Sequence, residues 1–272
     1  MNISYVIPSY NRATTLKNKT LKMLNDNNID PVNIYIILAN KNDENHYKTI
    51  IGDEYNYMVG EQGVVEVRNF IRRAFNTRPI VMIDDDISAM MILTEIPNKK
   101  HKQFKKMFNL KQYVIQAFNH LYKTKGRLFG FNAANNPLGV KYDIREGLVF
   151  LGGIYCEICD CFIQIDPKYR TLDDKYICLE YYRRYGNIYR YNAISHNASR
   201  GSFVEQGGLQ TIFKTTKNRI TESLEQHKVL YENEKEYFSS GKECFSKSYK
   251  GQYFRLMLKR KYVKNVIIDS II

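Results

Sequence analysis

Three consecutive aspartates, Asp84, Asp85 and Asp86, directly follow the apolar run Ile80-Val-Met-Ile83. If strand alternation persists past Ile83, Asp84 and Asp86 point to the same side. Two carboxylates on one side can hold Mg2+ or Mn2+ through oxygen and leave coordination positions for phosphate oxygens. A diphosphate leaving group gains from such an ion, because negative charge grows on it as its bond breaks. The competing reading is an acidic turn that caps the next element.

A second acidic pair, Asp173-Asp174, opens a helical pattern over 172–185. Acids are favoured at the positive end of a helix, and simple capping explains them without chemistry. Three of the five cysteines form Cys156-Glu-Ile-Cys159-Asp-Cys161. A closed zinc site needs a fourth ligand and usually a second paired motif, and Cys178 and Cys244 have no paired spacing. Reduced, partly buried thiols in a strand or tight hairpin are the expectation.

The elements that must position these residues alternate. Residues 3–8 read as a buried strand ending in a turn, then a helix capped by Thr14 or Thr15. Residues 33–39 and 55–59 read as strands, 64–75 as a helix studded with Arg68, Arg72 and Arg73, and 80–83 as a fourth buried strand. This order implies an α/β domain with a mainly parallel sheet flanked by helices. Ligands of such sheets lie beyond the carboxyl ends of the strands, where Ser9 to Arg12, Asn40 to Asp43 and Asp84 to Asp86 sit. Further on, 99–106 reads as a basic loop or helix start, 113–122 as an amphipathic helix, and 128–131, 148–153 and 188–191 as strands. Residues 195–208, rich in Gly, Ser and Asn, read as a mobile loop, with basic helical patterns to the end. The expected organisation is one α/β domain over 1–200, in two halves at 1–95 and 96–200. Residues 201–272 then form a loop and a basic, mainly helical extension.

The formal net charge is +13 over 272 residues, which suggests a polyanionic partner. Charge is concentrated at 99–106, 214–219 and 242–264. No apolar run approaches the ~20 residues of a membrane span. No leader is legible either, so a cytoplasmic protein is expected and the sequons at Asn2, Asn18 and Asn197 carry no glycan.

Three segments together resemble glycosyltransferases of the GT-A fold. Val6-Ile-Pro8-Ser9-Tyr10-Asn11-Arg12 is similar to the turn that holds the nucleotide in that family. Gly63-Val-Val-Glu-Val-Arg68-Asn69 resembles its Gly-x-x-x-x-Arg-Asn helix start, and Val81-Met-Ile-Asp84-Asp85-Asp86 its DxD motif. The order and spacing agree over about the first 90 residues. The chain lacks the glycine-rich N-terminal loop of the related nucleotidyltransferases. A looser likeness at 171–186 places the catalytic base of an inverting enzyme at Asp173 or Asp174, with Asp174 the better aligned. The resemblance implies a metal-dependent enzyme using a UDP-sugar, most naturally UDP-glucose. Asp86 is the metal ligand, Asp84 a second ligand or a contact to ribose or donor sugar, and Asp85 the least defined. His196 is a candidate to complete the metal site, although a lone histidine there fits a polar loop equally well. Arg12, Arg68 and Arg200 add charge for the diphosphate, and Asn40 and Gly153 belong to the donor side; the resemblance makes 1–200 the catalytic domain, with its donor half at 1–95 and its acceptor half at 96–200.

Size and charge are similar to the glycosyltransferases, some phage-encoded, that modify 5-hydroxymethylpyrimidines in DNA. Hydroxymethylcytosine, or a glucose already attached to it, in double-stranded DNA is then the expected acceptor. Two other readings stand beside this one: a glycosyltransferase for surface polysaccharide, and a non-catalytic nucleic-acid-binding protein on the same fold.

Overall fold

The computed structural model describes residues 1–95, 102–133, 136–138, 140–198, 213, 215–239, 245–248, 251–254 and 256–267. Four parallel strands form one half of its main sheet: β1 (Ser4–Ser9), β2 (Ile34–Leu38), β3 (Asn56–Val59) and β4 (Pro79–Ile83). Their order is β4-β1-β2-β3, so the chain steps outward from β1 and then returns to its other side. The point where strand order reverses, between β1 and β4, is where open α/β sheets leave a crevice at the carboxyl ends. β1, β2 and β4 are largely apolar on both faces because both are covered, whereas β3, at the edge, is only half-buried. Tyr5 and Ile7 face one core and Val6 the other; Val81 and Ile83 oppose Ile80 and Met82 in the same way.

Between β1 and β2 the chain forms α1 (Ala13–Leu16), a π-helical turn (Lys17–Leu21) and α2 (Lys22–Asp26). Neither Thr14 nor Thr15 caps this helix: it starts after Arg12, with no side-chain cap. Helix α3 (Asn42–Ile51) covers the same face, and α4 (Val64–Ala74) the opposite one.

The second half of the sheet is mixed. β5 (Ile87–Glu95) and β6 (Lys102–Lys106) form an antiparallel pair. Thus the basic stretch is a strand over its described part, where pairing with β5 outweighs the low strand propensity of its lysines. After α5 (Leu110–Thr124) come β7 (Leu128–Asn132), β8 (Asp143–Gly147) and β9 (Ile154–Ile158). Residues 148–153 are irregular rather than a strand; Leu148, Val149 and Leu151 are buried in a core, and burial alone accounts for their apolar run. Helix α6 (Asp173–Tyr185) leads into β10 (Ile188–Ala198), which pairs with β5, β7 and β8. Ser195 to Ala198 therefore belong to a strand, because β5 provides a ladder for them.

Among the described residues beyond 200 the chain combines helix and strand. Helix α7 (Thr216–Asn233) is followed by a hairpin of β11 (Phe245–Ser248) and β12 (Gly251–Phe254), and β13 (Val263–Ile267) pairs antiparallel with β8. The β-branched Val263, Val266 and Ile267 favour a strand, a preference masked by the surrounding lysines. Among the described residues no helix is long and apolar enough to cross a membrane.

Candidate active site at the strand switch point

A cavity of about 370 Å³ opens at the carboxyl ends of β1 and β4. Pro8, Ser9, Tyr10 and Arg12 line it from the first turn, and Asp84, Asp85 and Asp86 from the second. Gly153 and Tyr155 line it from the start of β9, and Asp173, Asp174 and Lys175 reach it from the start of α6.

β4 ends at Ile83, so strand alternation does not govern the aspartates. Instead they form a turn braced by Thr20 of the π-helical segment. The Thr20 hydroxyl donates to the Asp84 carbonyl at 2.8 Å and accepts from the Ile87 N–H at 3.0 Å. Single π turns often occur at such functional places. The three carboxylates diverge. Asp84 accepts from Arg68 Nη2 at 2.7 Å, and its side chain is 38% exposed toward the cavity. Asp85 accepts from Ser9 Oγ at 2.8 Å and from Arg12 Nη1 at 2.7 Å. Asp86 is buried, 3.7 Å from Arg12 Nη2. Burial raises the Asp84 pKa, with Arg68 opposing. Burial pushes Asp85 up to about 7 against the pull of Arg12 and Ser9.

Arg68 is the hub between the two acidic pairs. Its Nε lies 2.7 Å from Asp173 Oδ2, its Nη2 bonds Asp84, and its Nη1 donates to the Tyr155 hydroxyl at 3.1 Å. Burial opposes its charge, and Asp173, Tyr155 and Asp84 outweigh that and raise its pKa. The loop entering α4 reaches this geometry through Gly63, whose φ of +121° lies where side-chain-bearing residues are strained. Asp173 is buried and pushed up to about 6 by burial, with Arg68 opposing. Asp174 differs: its side chain is 41% exposed, 3.8 Å from Lys175 Nζ.

Other sequence candidates lie outside the cavity lining. Asn11 takes a left-handed φ of +55° and shapes the turn between Tyr10 and Arg12. Asn40 braces the start of α3 through Asp43, accepting from its N–H at 3.1 Å and donating to its carboxylate at 3.0 Å. His196 is buried on β10, and burial lowers its pKa to about 4, so its imidazole is neutral at pH 7. It packs behind Gly152, where a β-carbon would come within 2.5 Å of its Cε1. Arg200 lies outside the described residues. Among the described residues no three His, Cys, Asp or Glu side chains form a group able to hold a metal. This covers the cysteine motif, whose Cys156, Cys159 and Cys161 are free thiols. It also means that Asp84, Asp86 and His196 are not gathered into a ready-made triad. Two carboxylates facing one cavity still suit Mg2+ or Mn2+, ions that complete their shells with water and phosphate oxygens.

Residues without any motif complete the site. Tyr47 accepts from the Arg12 N–H at 3.0 Å and shares a hydrogen bond with Ser9 Oγ at 2.9 Å. Tyr155 supports Arg68, and Arg219 from α7 lines the cavity wall. Gly153 leaves room for Asp84: a β-carbon there would lie 2.4 Å from Asp84 Oδ2. Gly153→Ala is therefore expected to push that carboxylate off Arg68 and weaken binding of a ligand in this cavity roughly 10- to 100-fold. The fold should be retained, a combination that calorimetric titration and a thermal melt would reveal.

Comparison with known proteins gives distant likenesses. No family model matches the chain. A histidinol-phosphate aminotransferase from Clostridium novyi (strain NT) is 28% identical over 148 residues, covering 52% of this chain and 39% of that protein. In structure, S. aureus TarS aligns over 72% of this chain and 59% of its own, at 12% identity and a TM-score of 0.46. A mannosyltransferase from Pyrobaculum calidifontis, solved with GDP-Man and Mn2+, aligns over 85% and 64%, at 12% identity and a TM-score of 0.47. The chain thus spans less than two thirds of the length of each of these three relatives, and its activity has to be argued from the cavity itself.

Proposed function

We propose that this chain is an inverting glycosyltransferase that moves a sugar, glucose from UDP-glucose in the first instance, onto an acceptor hydroxyl. The observation that carries the reading is one cavity, at the strand switch point, containing Arg12, Arg68, the three aspartates and the Asp173-Asp174 pair. An anionic diphosphate needs the cations, and an attacking hydroxyl needs a carboxylate on the far side of the anomeric carbon. A Mg2+ or Mn2+ ion held by Asp84 and Asp86 would supply charge balance for the diphosphate.

Asp174 is the better base. Asp173 is held by Arg68 at 2.7 Å, whereas Asp174 is 41% exposed. In the reaction Asp174 takes the acceptor proton while the acceptor oxygen bonds to the anomeric carbon. The bond from that carbon to the diphosphate oxygen breaks, and its electron pair leaves with the nucleotide. The transition state is oxocarbenium-like, as in glycoside hydrolysis. Asp173 keeps Arg68 aligned between the base and Asp84. Asp174→Asn is expected to lower the transfer rate about 10²- to 10⁴-fold with donor affinity nearly unchanged. Single-turnover kinetics beside donor titration would check this, and transfer within a few-fold of wild type would remove Asp174 from the role.

For the acceptor, positive charge favours double-stranded DNA bearing hydroxymethylpyrimidine or an attached glucose. Strand β6 carries the exposed Lys105 and Lys106 and lies beside β5, which starts at Ile87, one residue past the aspartates. Radiolabelled UDP-glucose offered with hydroxymethylated, pre-glucosylated and plain DNA tests this part. Labelling of neither modified DNA would exclude it and leave a non-DNA glycan as acceptor.

A further inference from the structure

Arg12, Arg68 and Lys175 reach the cavity from the first 200 residues, whereas Arg219 reaches it from α7. Helix α7 is fastened to the segment that delivers the catalytic acids. Glu222 receives both ends of the Arg170 guanidinium, at 2.5 Å from Nε and 2.6 Å from Nη2. Gln226 accepts from the Thr171 N–H at 2.9 Å and hydroxyl at 2.7 Å, and donates to Glu222 at 2.7 Å. Thr171 itself lines the cavity, two residues before Asp173. Residues 219, 222 and 226 are spaced three and four apart, so one face of α7 carries both the fastening and the arginine. A bidentate arginine–carboxylate pair has defined geometry, which makes the fastening a positional constraint on Arg219.

The electrostatics point to an anion. Arg68 is ion-paired with Asp84 and Asp173, and Arg12 with Asp85 and Asp86. Arg219 is half-buried, and its pKa is lowered by burial and then by Arg12, with Asp173 opposing. Two guanidinium groups facing one partly dry cavity repel each other, and an anion between them turns that repulsion into attraction.

We propose that Arg219 is a binding residue for the donor's diphosphate, brought into the cavity by α7 and positioned there by the Glu222–Gln226 grip on Arg170 and Thr171. Helix α7 then belongs to the donor site. The inference rests on the reading that the cavity takes a nucleoside diphosphate.

The test is calorimetric titration of the full chain with UDP and GDP in the presence of Mg2+, and with uridine and guanosine as phosphate-free controls. Arg219→Ala is expected to weaken binding of the diphosphate roughly 10- to 100-fold, the range of a charge-assisted contact, and Arg219→Lys by less. Nucleoside affinity should be unchanged. Glu222→Gln should weaken diphosphate binding in the wild-type background and have no added effect in Arg219→Ala, the non-additivity expected of residues acting as a unit. Equal diphosphate affinity in wild type and Arg219→Ala would overturn the proposal, as would an equal loss for nucleoside and diphosphate. If the wild-type chain binds neither diphosphate, the broader reading of the cavity fails, and that result is distinct from the others.

Discussion

Asp86→Ala is expected to reduce sugar transfer on the order of 10³-fold or more, the equivalent of losing several kcal/mol of metal-assisted stabilisation of the leaving group. The fold should tolerate the change because other contacts hold the turn. Arg12 retains its 2.7 Å bond to Asp85 when Asp86 is gone, and the turn stays braced by Thr20 across the Asp84 carbonyl and the Ile87 N–H. The loss should therefore fall on chemistry and on metal-supported donor binding, with little change in melting temperature. Donor titration with and without divalent ion separates the two: the variant should lose the part of affinity that the ion adds and keep the rest. Activity within tenfold of wild type would show that the aspartates form a structural turn.

A second large effect is expected away from the cavity. Arg72 and Glu157 form an ion pair with both side chains fully buried, Nε to Oε1 at 2.8 Å, and the Tyr181 hydroxyl donates to the same carboxylate oxygen at 2.6 Å. Arg72 Nη2 and Glu157 Oε2 have no hydrogen-bond partner among the described residues, so few contacts there hold the pair. Removing one charge strands the other in a dry interior. Glu157→Gln is expected to cost about 3–5 kcal/mol, a drop in melting temperature of roughly 5–20 °C. The double variant Arg72→Met/Glu157→Gln removes both charges and keeps an acceptor for Tyr181, so it should be more stable than Glu157→Gln alone. Thermal and denaturant melts of both check this. Since Arg72 lies one turn after Arg68 on α4, the pair also fixes the helix that presents the hub arginine.

The parallel half of the sheet was readable because its signals are local. A strand buried on both faces has to be continuously apolar, and Ile80 to Ile83 running into three acids marks such a strand delivering carboxylates to its end. Arg12, Arg68 and the aspartates fall into one cavity, as the resemblance implies. What could not be read depends on contacts between distant segments. Thr20 looks like an ordinary helix residue until its hydroxyl meets the aspartate turn. Tyr47 and Tyr155 are two of many tyrosines, and only the fold brings them to Ser9 and Arg68. The divergence of Asp84 from Asp85 and Asp86 arises because β4 stops at Ile83, and apolar pattern does not mark where a strand ends. The paired glycines at 152 and 153 read as strand, whereas their small size accommodates His196 and Asp84. Past residue 200 the density of lysines concealed the strand at 263–267, whose pairing with β8 is set by tertiary contact rather than by periodicity. Arg219 belongs to a run that reads as basic surface; α7 turns one of its members inward.

The most direct measurement is consumption of nucleotide sugars by the purified chain. UDP-glucose, UDP-galactose and GDP-mannose would each be incubated with Mn2+ or Mg2+, hydroxymethylated DNA as acceptor, and an EDTA control, with nucleoside diphosphate release followed by chromatography. Release from at least one donor is expected, stopped by EDTA and by Asp86→Ala. Absence of both binding and release across the donors with either ion would contradict the assignment of this cavity to sugar transfer.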